Sequence, residues 1–208
     1  PRQRYYLYVP TSARCGSGAA LVAVHGISRN AREQAVQLAP AAERLGVPLI
    51  APLFDAQDGR GYQRLQLRDG SRADLRLDAV LEECGEALGA RCASLLLWGY
   101  SGGAQFAHRY ALLHAQRVAA VVLGAAGWYT YPDESVAFPL GVGPAPGLPG
   151  LQPDLDRFLA CPTLVVVGSR DVAADPALRS SPDIVARQGS HRLERARFGD
   201  RLAALTAH

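Results

Sequence analysis

The stretch LLLWGYSGGAQFAH, residues 95–108, sets Ser101 among glycines at 99, 102 and 103, after an apolar run and before a helix-like pattern. Such a Gly-rich strand-to-helix turn has two chemical uses. It can cradle a phosphate on the helix N-terminus, or hold a nucleophile up to solvent on a strained elbow. A phosphate loop of the G-x-x-x-x-G-K-[ST] type needs a lysine, and the chain has none; G-x-G-x-x-G spacing is absent as well. The G-x-S-x-G pattern alone is weak evidence, since chance supplies it in roughly one such sequence in ten. Its context carries the weight. The serine stands at the end of a buried strand and opens a helix, and glycines two before and two after it relieve crowding at a sharp turn.

Outward from that turn, apolar runs alternate with helical patterns. AALVAVHG (19–26), VPLIAP (47–52), SLLLWG (94–99), RVAAVVLGAAG (117–127) and PTLVVVG (162–168) read as buried parallel strands, and RYYLYV (4–9) as a further strand. Residues 31–45 have helical periodicity that Pro40 is expected to kink or split. Ser71 and Asp74 form an S-x-x-D pattern that opens a helix with Leu77, Val80, Leu81, Cys84 and Leu88 on one face, stopped by Gly89. The alternation predicts one α/β domain over 1–208, with a mostly parallel sheet covered on both faces. Residues 127–153 break the period. They are rich in Pro, Gly and aromatic residues, and read as a lid-like or substrate-binding insertion.

Composition narrows the function classes. Hydrophobic content of 49% with 20% charged residues fits a soluble globular chain. All 22 basic residues are arginine, Met is absent and Asn occurs once, which points to a GC-rich genome rather than a nucleic-acid surface. The arginines are dispersed among acids, and a net charge of +3 predicts no partner. No apolar run is long enough to cross a membrane. The chain starts at Pro1 with neither Met nor an apolar signal region, which suggests a removed leader or a trimmed start; the cytoplasm is favoured over secretion. Cys15, Cys84, Cys92 and Cys161 lack metal-ligand spacing, so no metal or cofactor is expected. A Cys84–Cys92 disulfide and buried free thiols both remain open, as does the oligomeric state.

A nucleophilic serine needs a base, an acid to orient it, and donors for the oxyanion. HGIS, residues 25–28, ends an earlier strand and offers the Ile27 amide; Gly102 offers the other. His25 itself reads as structural, hydrogen-bonded beside that loop. VVVGSRDVAADP offers Asp171 as the acid, with Asp175 as fallback. Tyr100, Trp128 and Tyr129, with Tyr131 and Phe138, suggest an apolar acyl or aromatic pocket; the alternative is that these rings cover the sheet edge.

RYYLYVP, LVAVHGIS, LLLWGYSGGAQFAHRYALLHAQRV and CPTLVVVGSRDVAADP together resemble the α/β-hydrolase superfamily, over nearly the whole chain. The opening R-x-Y-x-L-Y-V-P and the small size are similar to esterases of the poly(3-hydroxybutyrate)-depolymerase and feruloyl-esterase kind. The resemblance implies the α/β-hydrolase fold, a small-molecule ester substrate, Ser101 as nucleophile, Ile27 and Gly102 as oxyanion donors, and Asp171 as acid. The histidine departs from the pattern. His191, in RQGSHRLERARF, follows Asp171 by too short a segment for a regular crossover and strand. In one reading DIVAR (183–187) is an abbreviated last strand, His191 is the base, and a helix capped by Ser190 runs over 191–207. In the other, that helix is the crossover, and the last strand and histidine lie beyond His208. His108 and His114 read as packing or surface residues. Rival classes are a non-catalytic binding protein on the same fold and a serine peptidase.

Overall fold

The computed structural model describes residues 3–11, 18–59, 61–173 and 175–197. Its strands are β1 (Arg4–Tyr8), β2 (Ala19–Val24), β3 (Leu49–Leu53), β4 (Ser94–Tyr100), β5 (Val118–Gly124) and β6 (Thr163–Val166). The main helices are α1 (Ala31–Leu45), α2 (Ala73–Leu88) and α3 (Gly102–Leu113), with short α4 (Leu155–Leu159) and α5 (Pro182–Gln188). One sheet runs in the order β1-β3-β2-β4-β5-β6. Only β1 is antiparallel to its neighbour.

The continuous apolar runs are explained by burial on both faces. Ala20, Val22 and Val24 of β2 face the larger core with Leu77 and Leu81 of α2 and Phe106 and Tyr110 of α3. Leu21 and Ala23 of the same strand face the other side, against Ala31, Ala35 and Ala42 of α1. Period-2 alternation thus sends successive side chains into two separate apolar clusters. The exception is β6. It pairs with β5 alone, and Leu164 and Val166 are 57% and 49% exposed, so its outer face is uncovered by any described residue.

Several local expectations are corrected. Residues 31–45 form one uninterrupted helix despite Pro40, because Pro40 lies on the solvent side, where the Val36 carbonyl it leaves unpaired faces water. The Ser71–Asp74 capping box does not form. The Ser71 hydroxyl donates to Asp69 at 2.6 Å, and the buried Asp74 carboxylate instead accepts from Arg72 and from His114 at the end of α3. DIVAR is helical rather than a strand, since it lies inside α5, with Pro182 at its first turn and Gly189 after it. A further helix starts at residue 192, so His191 rather than Ser190 caps it. Its expected continuation to 207, together with His208 and Cys15, lies outside the described residues. Cys84 and Cys92 are free buried thiols, and burial pushes Cys84 up to about 11. The 127–153 insertion has no regular helix or strand of its own. Tyr129, Phe138 and Leu148 from it join the larger core, so it is packed onto the domain.

Candidate active site

Ser101 joins β4 to α3 with φ 54° and ψ −112°, a conformation that costs a non-glycine residue about 1–3 kcal/mol. The surroundings hold it there. Its amide donates to the Gly124 carbonyl at 2.7 Å, tying the turn to β5. A Cβ on Gly99 would collide with the Gly103 carbonyl, and one on Gly103 would collide with the carbonyls of Val24 and His25. The glycines two before and two after the serine therefore answer to close backbone approach, as the sequence pattern implies.

The HGIS segment abuts this turn. A Cβ on Gly26 would lie 3.5 Å from the Ser101 Cβ. His25 fixes the segment from behind: its Nε2 accepts from the Phe54 amide at 2.9 Å, and its Nδ1 therefore donates to the Gly26 carbonyl at 2.7 Å. Burial holds His25 below its ordinary pKa, and both ring nitrogens are committed, so its role is structural. Ile27 and Ser101 line one cleft of about 350 Å³. Gly102 opens α3, where amides have no intrahelical acceptor.

The acid and base candidates are arranged differently. Asp171 Oδ1 lies 3.6 Å from Arg192 Nη1, and Asp175 Oδ2 lies 2.5 Å from Arg192 Nη2. The Arg192 hydrogen bond holds Asp175 below the usual carboxylate range. His191 Nδ1 accepts from the Glu194 amide at 3.3 Å, leaving Nε2 turned toward Glu194 Oε1 at 3.7 Å. The Leu193 amide donates to the Asp171 carbonyl at 3.2 Å, so the acid loop and the His191 segment meet through their backbones. Their side chains do not meet, and no described histidine lines the cleft or bonds the Ser101 hydroxyl. Of the remaining histidines, His108 is buried among Tyr129 and Phe158, and His114 is bound to Asp74. Among the described residues no cluster of His, Cys, Asp or Glu could hold a metal ion, and no helix is long and apolar enough to cross a membrane.

Of the expected pocket rings, Trp128 lines the cleft. Tyr129 is buried in the core, and Tyr100 is half exposed, stacked on Trp98 outside it.

No protein-family model matches the chain, and no curated protein matches it either. Solved structures do. The crystal structure of LpqC, a poly(3-hydroxybutyrate) depolymerase from Bordetella parapertussis, aligns with a TM-score of 0.82 and 30% identity, covering 99% of this chain and 72% of that one. The chain belongs to the α/β-hydrolases of the esterase kind. Two more distant matches show likeness of fold. Poly(aspartic acid) hydrolase-1 from Sphingomonas sp. KT-1 has a TM-score of 0.80 at 23% identity, covering 99% of this chain and 81% of that one. An S-formylglutathione hydrolase from Agrobacterium tumefaciens has a TM-score of 0.55 at 14% identity, covering 85% and 74%.

This α/β-hydrolase carries cleft residues that sequence reasoning missed. Gln63, from a short helical turn at Gly61–Arg64, places its Nε2 2.8 Å from where a Gly102 Cβ would stand. That Nε2 is buried and has no hydrogen-bond partner among the described residues. It is therefore an unpartnered buried donor beside the Gly102 backbone. Gln105, Arg64, Arg179 and Arg192 complete the polar lining. Gln63 and Arg64 come from the segment between β3 and α2, Gln105 from α3, and Arg179 and Arg192 from either side of α5, so no single stretch of sequence announces them.

Proposed function

We propose that the chain is a carboxylic ester hydrolase acting through an acyl-enzyme on Ser101. The observation that carries this reading is the serine itself, held at positive φ on a strand-to-helix turn in the wall of a cleft. Ser101 Oγ attacks the acyl carbon, and the amides of Ile27 and Gly102 receive the oxygen that becomes negatively charged. In this reading His191 takes the hydroxyl proton and returns it to the leaving alcohol, and Asp171 orients the imidazole. Support for that pair comes from chain order and from the Leu193–Asp171 backbone bond beside it. To serve Ser101, His191 must give up its contact with Glu194, and Asp171 its contact with Arg192. The poly(3-hydroxybutyrate) depolymerase likeness favours a hydroxyacyl ester substrate.

A second reading is a binding protein on the same fold without turnover. It is favoured by the lack of any described imidazole in the cleft. Labelling with a fluorophosphonate probe separates the two. Wild type should label and Ser101→Ala should not. An unlabelled wild type would sink the hydrolase, and labelling unchanged in His191→Ala would remove that histidine from the mechanism.

A further inference from the structure

Three arginines line the cleft beside Ser101, namely Arg64, Arg179 and Arg192, and among the described residues no carboxylate does. Arg192 is already neutralised by Asp171 and Asp175. Arg64 and Arg179 are exposed at the rim, and neither has an acidic partner among the described residues. Arg179 approaches the ring of Trp128, 5.5 Å from its centroid.

A further unneutralised cation stands behind the wall. Arg109 of α3 is wholly buried. Its guanidinium donates to the carbonyls of Gln63 and Gln105 and to Thr130 Oγ1, and lies 4.0 Å from the centroid of Trp128. Gln63, Gln105 and Trp128 all line the cleft, so the charge sits directly behind its surface. Arg109 Nη2 has no hydrogen-bond partner and no carboxylate pairs with it among the described residues. Burial first, then the charges of Arg64 and Arg179, pulls Arg109 down to about 9, so it remains cationic at neutral pH. A buried cation without a counter-charge is costly, and a fold that keeps one beside a cleft gains when an anion enters.

We propose that the cleft binds a carboxylate on the substrate, so that the ester cleaved at Ser101 is a half-ester or acidic oligomer held by Arg64 and Arg179 in the field of Arg109. This rests on the hydrolase reading for the bond cleaved, but not for the anion bound. Guanidinium forks match the planar carboxylate with paired hydrogen bonds. The apolar part of the lining, Ile27, Trp128, Pro176 and Leu178, suits a carbon chain between that carboxylate and the acyl carbon. A compact phosphate would leave those side chains uncontacted.

The test is calorimetric binding to the Ser101→Ala protein, which cannot consume the probe. Monoethyl succinate carries the charge, and diethyl succinate is its neutral counterpart. The half-ester should bind at least about tenfold more tightly, with the preference shrinking as salt is added. Arg64→Gln/Arg179→Gln should remove the preference, and Arg64→Lys/Arg179→Lys should retain much of it. Both positions are exposed, so folding is spared. Equal affinity for the two esters overturns the proposal, as does a preference that survives the double glutamine variant. Tighter binding of inorganic phosphate than of the half-ester also overturns it. Ethanol release by the wild type is read in parallel. Binding preference without ethanol release supports the anion site while removing the hydrolase reading.

Discussion

Gly103 packs so closely on the backbone of Val24 that a single methyl group there would overlap the Val24 carbonyl oxygen. That contact locks the start of α3 onto β2 and holds Ser101 at the strand end. Gly103→Ala should therefore destabilise the fold by about 3 kcal/mol or more, because backbone cannot relax as a side chain can. Urea unfolding measures the loss. A midpoint within error of wild type would mean that α3 is free to lift from the sheet.

Gln63 offers an amide N–H₂ beside Gly102 with no hydrogen-bond partner among the described residues. If this amide meets the oxyanion, Gln63→Ala should lower kcat roughly tenfold or more and leave KM nearly unchanged, the signature of a contact made in the transition state. A change confined to KM would assign Gln63 to ground-state binding instead.

The Asp74 carboxylate is fully buried, and the guanidinium of Arg72 and the His114 ring converge on it at 2.6 and 2.9 Å. Burial alone would raise its pKa, but the hydrogen bonds from His114 and Arg72 outweigh that and hold it below the usual range. Asp74→Ala leaves both partners without their acceptor and detaches the end of α3 from the start of α2. The expected cost is about 3–5 kcal/mol by chemical denaturation. A cost below about 1 kcal/mol, the range of exposed pairs, would show that water replaces the carboxylate freely.

Burial, then the charge of Arg109, pushes His108 down to about 3. The unfolded chain takes up that proton near pH 6.5, and the folded one does not until far lower pH. Stability contributed by the neutral ring is thus complete above pH 6.5 and falls as pH drops toward 3. The loss is about 1.4 kcal/mol at pH 5.5 relative to pH 7.5. His108→Gln keeps an acceptor near the Thr130 amide and should remove that part of the slope. An unchanged slope in the variant would place the acid sensitivity elsewhere.

The framework was legible because parallel strands buried on both faces must be apolar throughout, as AALVAV and SLLLWG are. The serine turn was legible because its glycines answer to backbone contacts that a short pattern encodes. Elements decided by tertiary context were not. Pro40 costs α1 little because it faces solvent, and Asp74 caps nothing because Arg72 and His114 claim it. In PDIVARQG a last strand was one of two readings, entertained because the expected topology needs a strand before the histidine, while Pro182 and Gly189 are the local signals of the helix that forms. The cleft arginines come from separate segments and were lost among 22 dispersed ones. Nothing local marks a residue whose importance is that it lacks a partner.

The outer strand β6 leaves one more consequence. Among the described residues it bonds to β5 alone, and Leu164 and Val166 stand exposed on the same face. The row of amides and carbonyls on its other side, unpaired among the described residues, is a template for any extended chain that brings matching apolar side chains. As concentration rises, two such templates meeting edge to edge would join molecules into a shared sheet, and a charge introduced at Leu164 is the simplest guard against it.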